Sequence, residues 1–152
     1  MSFFVEPPRR ERAINAPPVV LALLGVLVAI HLVLTVIVPD WQEWAIIYGA
    51  RVPIRFTDTN PLGFGLASLT LVSHAMLHGS AMHITVNGLW LLIGGARVAR
   101  VSGPGRFLAL FFACAVAGGL AHLVTNWASF IPMLGASGGI AGLMAAAMRI
   151  HY

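Results

Sequence analysis

Two short stretches hold most of the side chains in this sequence that could do chemistry. The first carries His74, His78, His83 and Asn87 within fourteen positions, and the second is Gly135, Ala136, Ser137, Gly138 and Gly139. Ser137 is a lone hydroxyl between small residues, so its backbone is unobstructed and its Oγ is open to a neighbour or a reactant. His83 and Asn87 are four apart, which on a helix puts them on one face, one turn from each other. No acidic residue follows Asp58. A Ser-His-Asp triad within the apolar half is therefore impossible, and any serine chemistry needs a dyad or a base from elsewhere. Gly135 to Gly139 formally matches the G-x-S-x-G nucleophile elbow, but that turn needs a preceding strand in a soluble sheet, which this apolar sequence does not offer. On composition alone the plainer reading is packing: Gly135/Gly139 and Gly138/Gly142/Ala146 are spaced small-xxx-small. His74, His78 and His83 could suggest zinc, yet no carboxylate or cysteine stands near to complete or support a site, so no metal or other cofactor is expected.

The elements that must position these residues are membrane helices. Of 152 residues 59% are hydrophobic and 9% charged, with a mean hydropathy of +0.87, against about 25% charged in soluble domains. An all-α membrane protein follows. The spacing predicts a cytoplasmic tail over 1–18 and spans near 19–38, 80–96, 105–124 and 135–150. The first apolar run is too long and lacks the exit of a cleaved signal peptide. Ser80 is a good N-cap for the second span. Between the first two lies a stretch of Trp41, Trp44, Tyr48, Pro53, Asn60 and Pro61, read as a structured interfacial loop. His31 lies in the first span and is expected to hydrogen-bond a neighbour. All nine basic residues are Arg, set at the ends of apolar runs. With the N-terminus inside, the three acids of the first loop fall outside and Arg97, Arg100 and Arg106 fall inside, so the positive-inside pattern closes. That placement sets topology and excludes nucleic acid as a partner. The single Cys114 allows no internal disulfide.

Joined, the two stretches resemble the rhomboid intramembrane serine proteases: His-x3-His-x4-His-x3-Asn at the start of one span, and Gly-Ala-Ser-Gly-Gly-Ile-Ala-Gly at the start of another two spans on. The resemblance runs from about Val19 to the end of the sequence. It implies a rhomboid-like helical bundle with Ser137 as nucleophile. The oxyanion hole would come from His83, Asn87 and the Ser137 N–H, with His74, His78, Gly135 and Gly138 supporting the site. It implies transmembrane protein substrates in a lipid bilayer, and the expected location is a bacterial inner (plasma) membrane. Were the run from Ile131 helical and embedded, Ser137 would lie about 9 Å deep. The family has six spans with its general-base His on the sixth. This sequence ends in or just after the fourth, and His151, about 21 Å along a helix from Ser137, cannot serve. The expectation is thus a partial rhomboid domain over 19–152 with little or no proteolysis of its own. The family's first-loop Trp-Arg pair falls at Leu69-Thr70, and a Glu common after its second span at Ala99 or Arg100. Three alternatives stay open: a non-catalytic relative that binds transmembrane helices, catalysis with His83 as base, and a piece of a transporter.

Overall fold

The computed structural model describes residues 15–57 and 63–150. Arg9, Arg10, Arg12, Asp58, Asn60, Pro61 and His151 lie outside them. Among the described residues the protein is helical throughout, with no strand and one isolated antiparallel bridge, Arg51 to Met133. Helix α1 (Pro18–Leu32) opens with proline in its first turn, where no N–H is needed. It runs on through a π-helical turn at Val33–Ile37, and Thr35 Oγ1 donates to the His31 carbonyl (2.7 Å) beside that turn. Together they make a 20-residue apolar helix, Pro18–Ile37, long enough to cross a bilayer.

The first loop is more ordered than its prolines and glycines suggest. Helix α2 (Trp41–Gly49) leaves Trp41, Trp44 and Tyr48 exposed, and Trp44 stacks on Tyr48 with centroids 5.6 Å apart. Amphipathic rings displayed in this way suit the membrane interface. Helix α3 (Gly63–Ser73) was not foreseen: Gly63 and Gly65 mark its start rather than breaking it, and a 3-10 turn at His74–Met76 ends it.

Helix α4 (Ala81–Trp90) begins where Ser80 Oγ accepts the His83 N–H at 3.2 Å, satisfying one of the four unpaired donors of the first turn. It passes through a second π-helical stretch, Leu91–Gly95, into α5 (Ala96–Thr125). Arg97 and Arg100 are good helix formers, so the helix continues past Ala96 instead of opening into the basic loop that the charges suggested. The interruption is confined to Gly103, whose φ of +78° and ψ of 169° divide the run into two helices, with Pro104 opening the second. An L side chain at that φ is strained by roughly 1–2 kcal/mol. Gly103→Ala should therefore lower stability by about that amount in thermal unfolding. Gly105→Ala, with open space around its added Cβ, should not.

Helix α6 (Ser137–Arg149) starts two residues later than the glycine pattern indicates and packs on α5. Phe107, Phe111, Ile140 and Leu143 fill the joint, with Leu27, Ile84 and Leu91 from the earlier helices. Small residues set the closeness. A Cβ on Gly118 would stand 3.3 Å from Gly138 Cα, and one on Gly142 would run into Cys114. The π-helical stretch serves the same contact, bringing Gly94 against Met144. This is the small-residue packing expected of helices in lipid, where apolar side chains gain nothing by leaving the acyl chains.

Candidate active site

The site is assembled where the segment before α6 crosses the start of α4. That segment is extended rather than helical. Met133 exchanges both backbone hydrogen bonds with Arg51 (3.0 and 2.7 Å), and the Ile54 N–H donates to Ser129 O at 3.0 Å. First-loop backbone thus clamps residues 129–133. An extended residue advances about 3.3 Å rather than 1.5 Å, so a depth for Ser137 counted on a helical rise does not hold. Gly135 follows with φ +120°, in a region that glycine alone enters freely. It lies outside any helix, so it is not part of a helical small-residue stripe with Gly139. Its N–H donates to the His74 carbonyl at 2.9 Å.

Gly135 is the residue against which the histidine face closes. The point where its Cβ would stand is 2.6 Å from His83 Nε2 and 3.6 Å from Asn87 Nδ2. Asn87 is buried, 5% exposed, and its Nδ2 has no acceptor among the described residues. A buried amide donor without a partner costs about 1–3 kcal/mol, and such groups concentrate where a ligand or transition state supplies the acceptor. Two residues on, Ser137 opens α6, exposed, with no hydrogen bond to its Oγ among the described residues. The Ile140 N–H to Ala136 O bond is the helix's first (3.0 Å). The N–H groups of Ser137, Gly138 and Gly139 precede it and have no helical acceptor, at the end of the dipole that favours negative charge.

The two remaining histidines brace this geometry. His78 Nε2 accepts the Ala136 N–H at 3.5 Å, and its ring meets that of His83 edge-on, centroids 5.1 Å apart. His31 Nδ1 lies 3.3 Å from the His78 carbonyl, joining α1 to the site. Burial, then the nearby His83 and His31, pushes the His78 imidazolium down to about 4, so at neutral pH its Nε2 is free to accept. His74 is fully buried; its Nδ1–H donates to Thr70 O at 2.8 Å. Burial, aided by Arg51 and His122, lowers its pKa as well. Ser137, His83, Asn87, Gly135 and His78 are thus brought together. His74 reaches the group through its carbonyl alone, and Gly138 through the α5 contact. Arg51, one of the nine arginines that the sequence sets at the ends of apolar runs, is wholly buried and packs with His74 against Gly119. No sequence signal marks it, because an Arg in a polar-looking loop is ordinarily exposed.

The lowered His78 pKa gives a pH dependence whose sign is fixed. Between about pH 6.5 and 4 the unfolded chain binds the proton that folded His78 refuses. Its contribution to stability is therefore full above 6.5 and falls as pH drops through that window, by at most about 1.4 kcal/mol per pH unit. Denaturant unfolding at pH 7, 6 and 5 should show a shallower slope for His78→Gln; an unchanged slope would contradict the assignment.

The fold is that of a helical membrane protein in which His83 and the buried Asn87 close on Gly135, two residues before a serine at a helix start. The family model for the rhomboid domain matches residues 67–151, more than half of the chain, and the protein belongs to the rhomboid family, a family of intramembrane proteases. Comparison with curated proteins returned no match.

Proposed function

We propose that the chain carries the nucleophile and oxyanion hole of an intramembrane serine endopeptidase. Ser137 Oγ attacks the scissile carbonyl of a transmembrane substrate. The oxygen of the tetrahedral intermediate takes hydrogen bonds from Asn87 Nδ2, the His83 ring and the Ser137 N–H. His78 holds the Ala136 amide, and with it the turn into α6. His74 fixes Gly135 through its carbonyl, and Gly138 lets α6 approach α5. The observation that carries this reading is the buried, acceptorless Asn87 amide converging with His83 on the glycine two residues before an unengaged serine.

No Asp or Glu follows Asp58, so a Ser-His-Asp triad drawn from this half of the sequence is not available to Ser137. Fluorophosphonate labelling abolished by Ser137→Ala would show that Ser137 is activated. The nucleophile's position is tested without a base by a thiol, which is intrinsically nucleophilic. A Cys114→Ser, Ser137→Cys chain should form a thioester with an activated acyl ester at position 137, located by mass spectrometry. The chain has no lysine to compete. Failure of that thiol to acylate, while iodoacetamide still alkylates it, would refute the reading.

A further inference from the structure

Arg51 is the least explained group in the molecule. It is 0% exposed, and Nε, Nη1 and Nη2 all lack a hydrogen-bond partner among the described residues. Its guanidinium carbon lies 4.8 Å from the centroid of the Phe56 ring. An isolated buried cation is strongly unfavourable, and a single cation–π contact does not offset it. Among the described residues no carboxylate or other side-chain oxygen pairs with it; the titratable groups beside it are His74 and His122. Arg51 and His74 converge on Gly119, whose missing Cβ would stand 3.3 Å from both Arg51 Nη1 and His74 Cε1. His122, three residues on along α5, has a buried Nδ1 without a partner, as does His74 at Nε2. The absence of a side chain at residue 119 lets Arg51 and His74 close on the α5 backbone.

We infer that Arg51, His74 and His122, gathered over Gly119, form an internal binding site for a small inorganic anion of chloride size. Three nitrogen-bearing groups with unmatched atoms, and no carboxylate beside them among the described residues, are the chemistry of an anion site. Arg51 and His74 are fully buried and His122 half-buried, which leaves no room for a bulky anion or a lipid headgroup. His74 adds a linkage. Its Nδ1–H is committed to Thr70 O, so Nε2 carries a lone pair and must take up a proton before it can donate to an anion. The groups that face it are Arg51 and His122, both repelling that proton, and a bound anion reverses the balance. Binding is therefore tighter at pH 6 than at pH 8. The site uses no side chain that the proposed chemistry at Ser137 needs, and does not rest on that chemistry.

The test is thermal unfolding of the purified chain in detergent at constant ionic strength, with chloride exchanged for gluconate at pH 6 and at pH 8. Chloride should raise the midpoint saturably, with a half-saturating concentration several-fold lower at pH 6. Arg51→Met should lose the response while being no less stable in gluconate, since it removes an unpaired buried charge. Gly119→Ala, benign in a helix, should raise the half-saturating chloride several-fold by placing a Cβ at the junction. Equal midpoints in the two salts overturn the site. So does a chloride response retained in Arg51→Met, or unchanged in Gly119→Ala should the arginine variant fail to fold.

Discussion

Gly135→Ala is expected to reduce acylation at position 137 by about 100-fold or more and to destabilise the fold as well. Two independent effects coincide there. A φ of +120° is closed to L side chains, at a cost on the order of 1–3 kcal/mol for holding one in so sparsely populated a region. The new Cβ would also stand 2.6 Å from His83 Nε2 and 2.7 Å from Cε1. The ring must swing aside, or the backbone must withdraw, taking its 2.9 Å hydrogen bond to the His74 carbonyl with it. Either response moves Ser137 relative to its donors, and a misplacement of about 1 Å costs roughly 100-fold in rate. Acylation of the residue-137 thiol, followed beside thermal unfolding, measures both. A variant that acylates at the parent rate would show that Gly135 does not set the distance between donors and nucleophile.

Gly139→Ala should separate α5 from α6. Its added Cβ would lie 2.6 and 2.7 Å from the Phe111 ring and 2.7 Å from the Phe111 carbonyl oxygen. The ring could turn, but the carbonyl belongs to the helix backbone and moves only with it. Overpacking of this kind costs about 1–3 kcal/mol, toward the upper end here because a main-chain atom is involved. Gly25→Ala, where no atom lies within 4 Å of the new Cβ, is the control. It should be neutral or slightly stabilising, since Ala is the better helix former by up to about 1 kcal/mol. Equal melting shifts for the two would contradict the close α5–α6 joint.

These glycines show how much of the molecule the sequence reveals. Apolar runs and arginine placement are enough to read helices in lipid, because length and charge alone decide where a helix can sit in a bilayer. Ser80 is legible as a cap for the same local reason. His83 and Asn87 are legible as a pair through their spacing, and Ser137 through its small neighbours. Gly135 reads equally well as one rung of a packing stripe, and its left-handed backbone becomes evident only once residues 129–133 are seen clamped to the first loop. That clamp is non-local: Arg51 and Met133 are 82 positions apart, and no periodicity links them. Helix α3 escaped for a different reason. Its glycines and neighbouring proline are ordinary helix breakers, outweighed here by the apolar run that follows. Packing and the proposed chemistry at 135–142 can share one stretch. Gly138, Gly139 and Gly142 seat the helix, and Ser137 stands at its open end.

The most direct test of the oxyanion hole uses the Cys114→Ser, Ser137→Cys chain with and without Asn87→Ala. For each, the rate of acylation by an activated ester is divided by the rate of alkylation by iodoacetamide. Acylation passes through a tetrahedral oxyanion and alkylation does not, so the ratio isolates the donors from mere access to the thiol. Loss of one such donor typically costs about 100- to 1,000-fold. The expected result is a fall of that order in the ratio with alkylation unchanged; a ratio that stays the same would contradict the assignment of Asn87 and the site built around it.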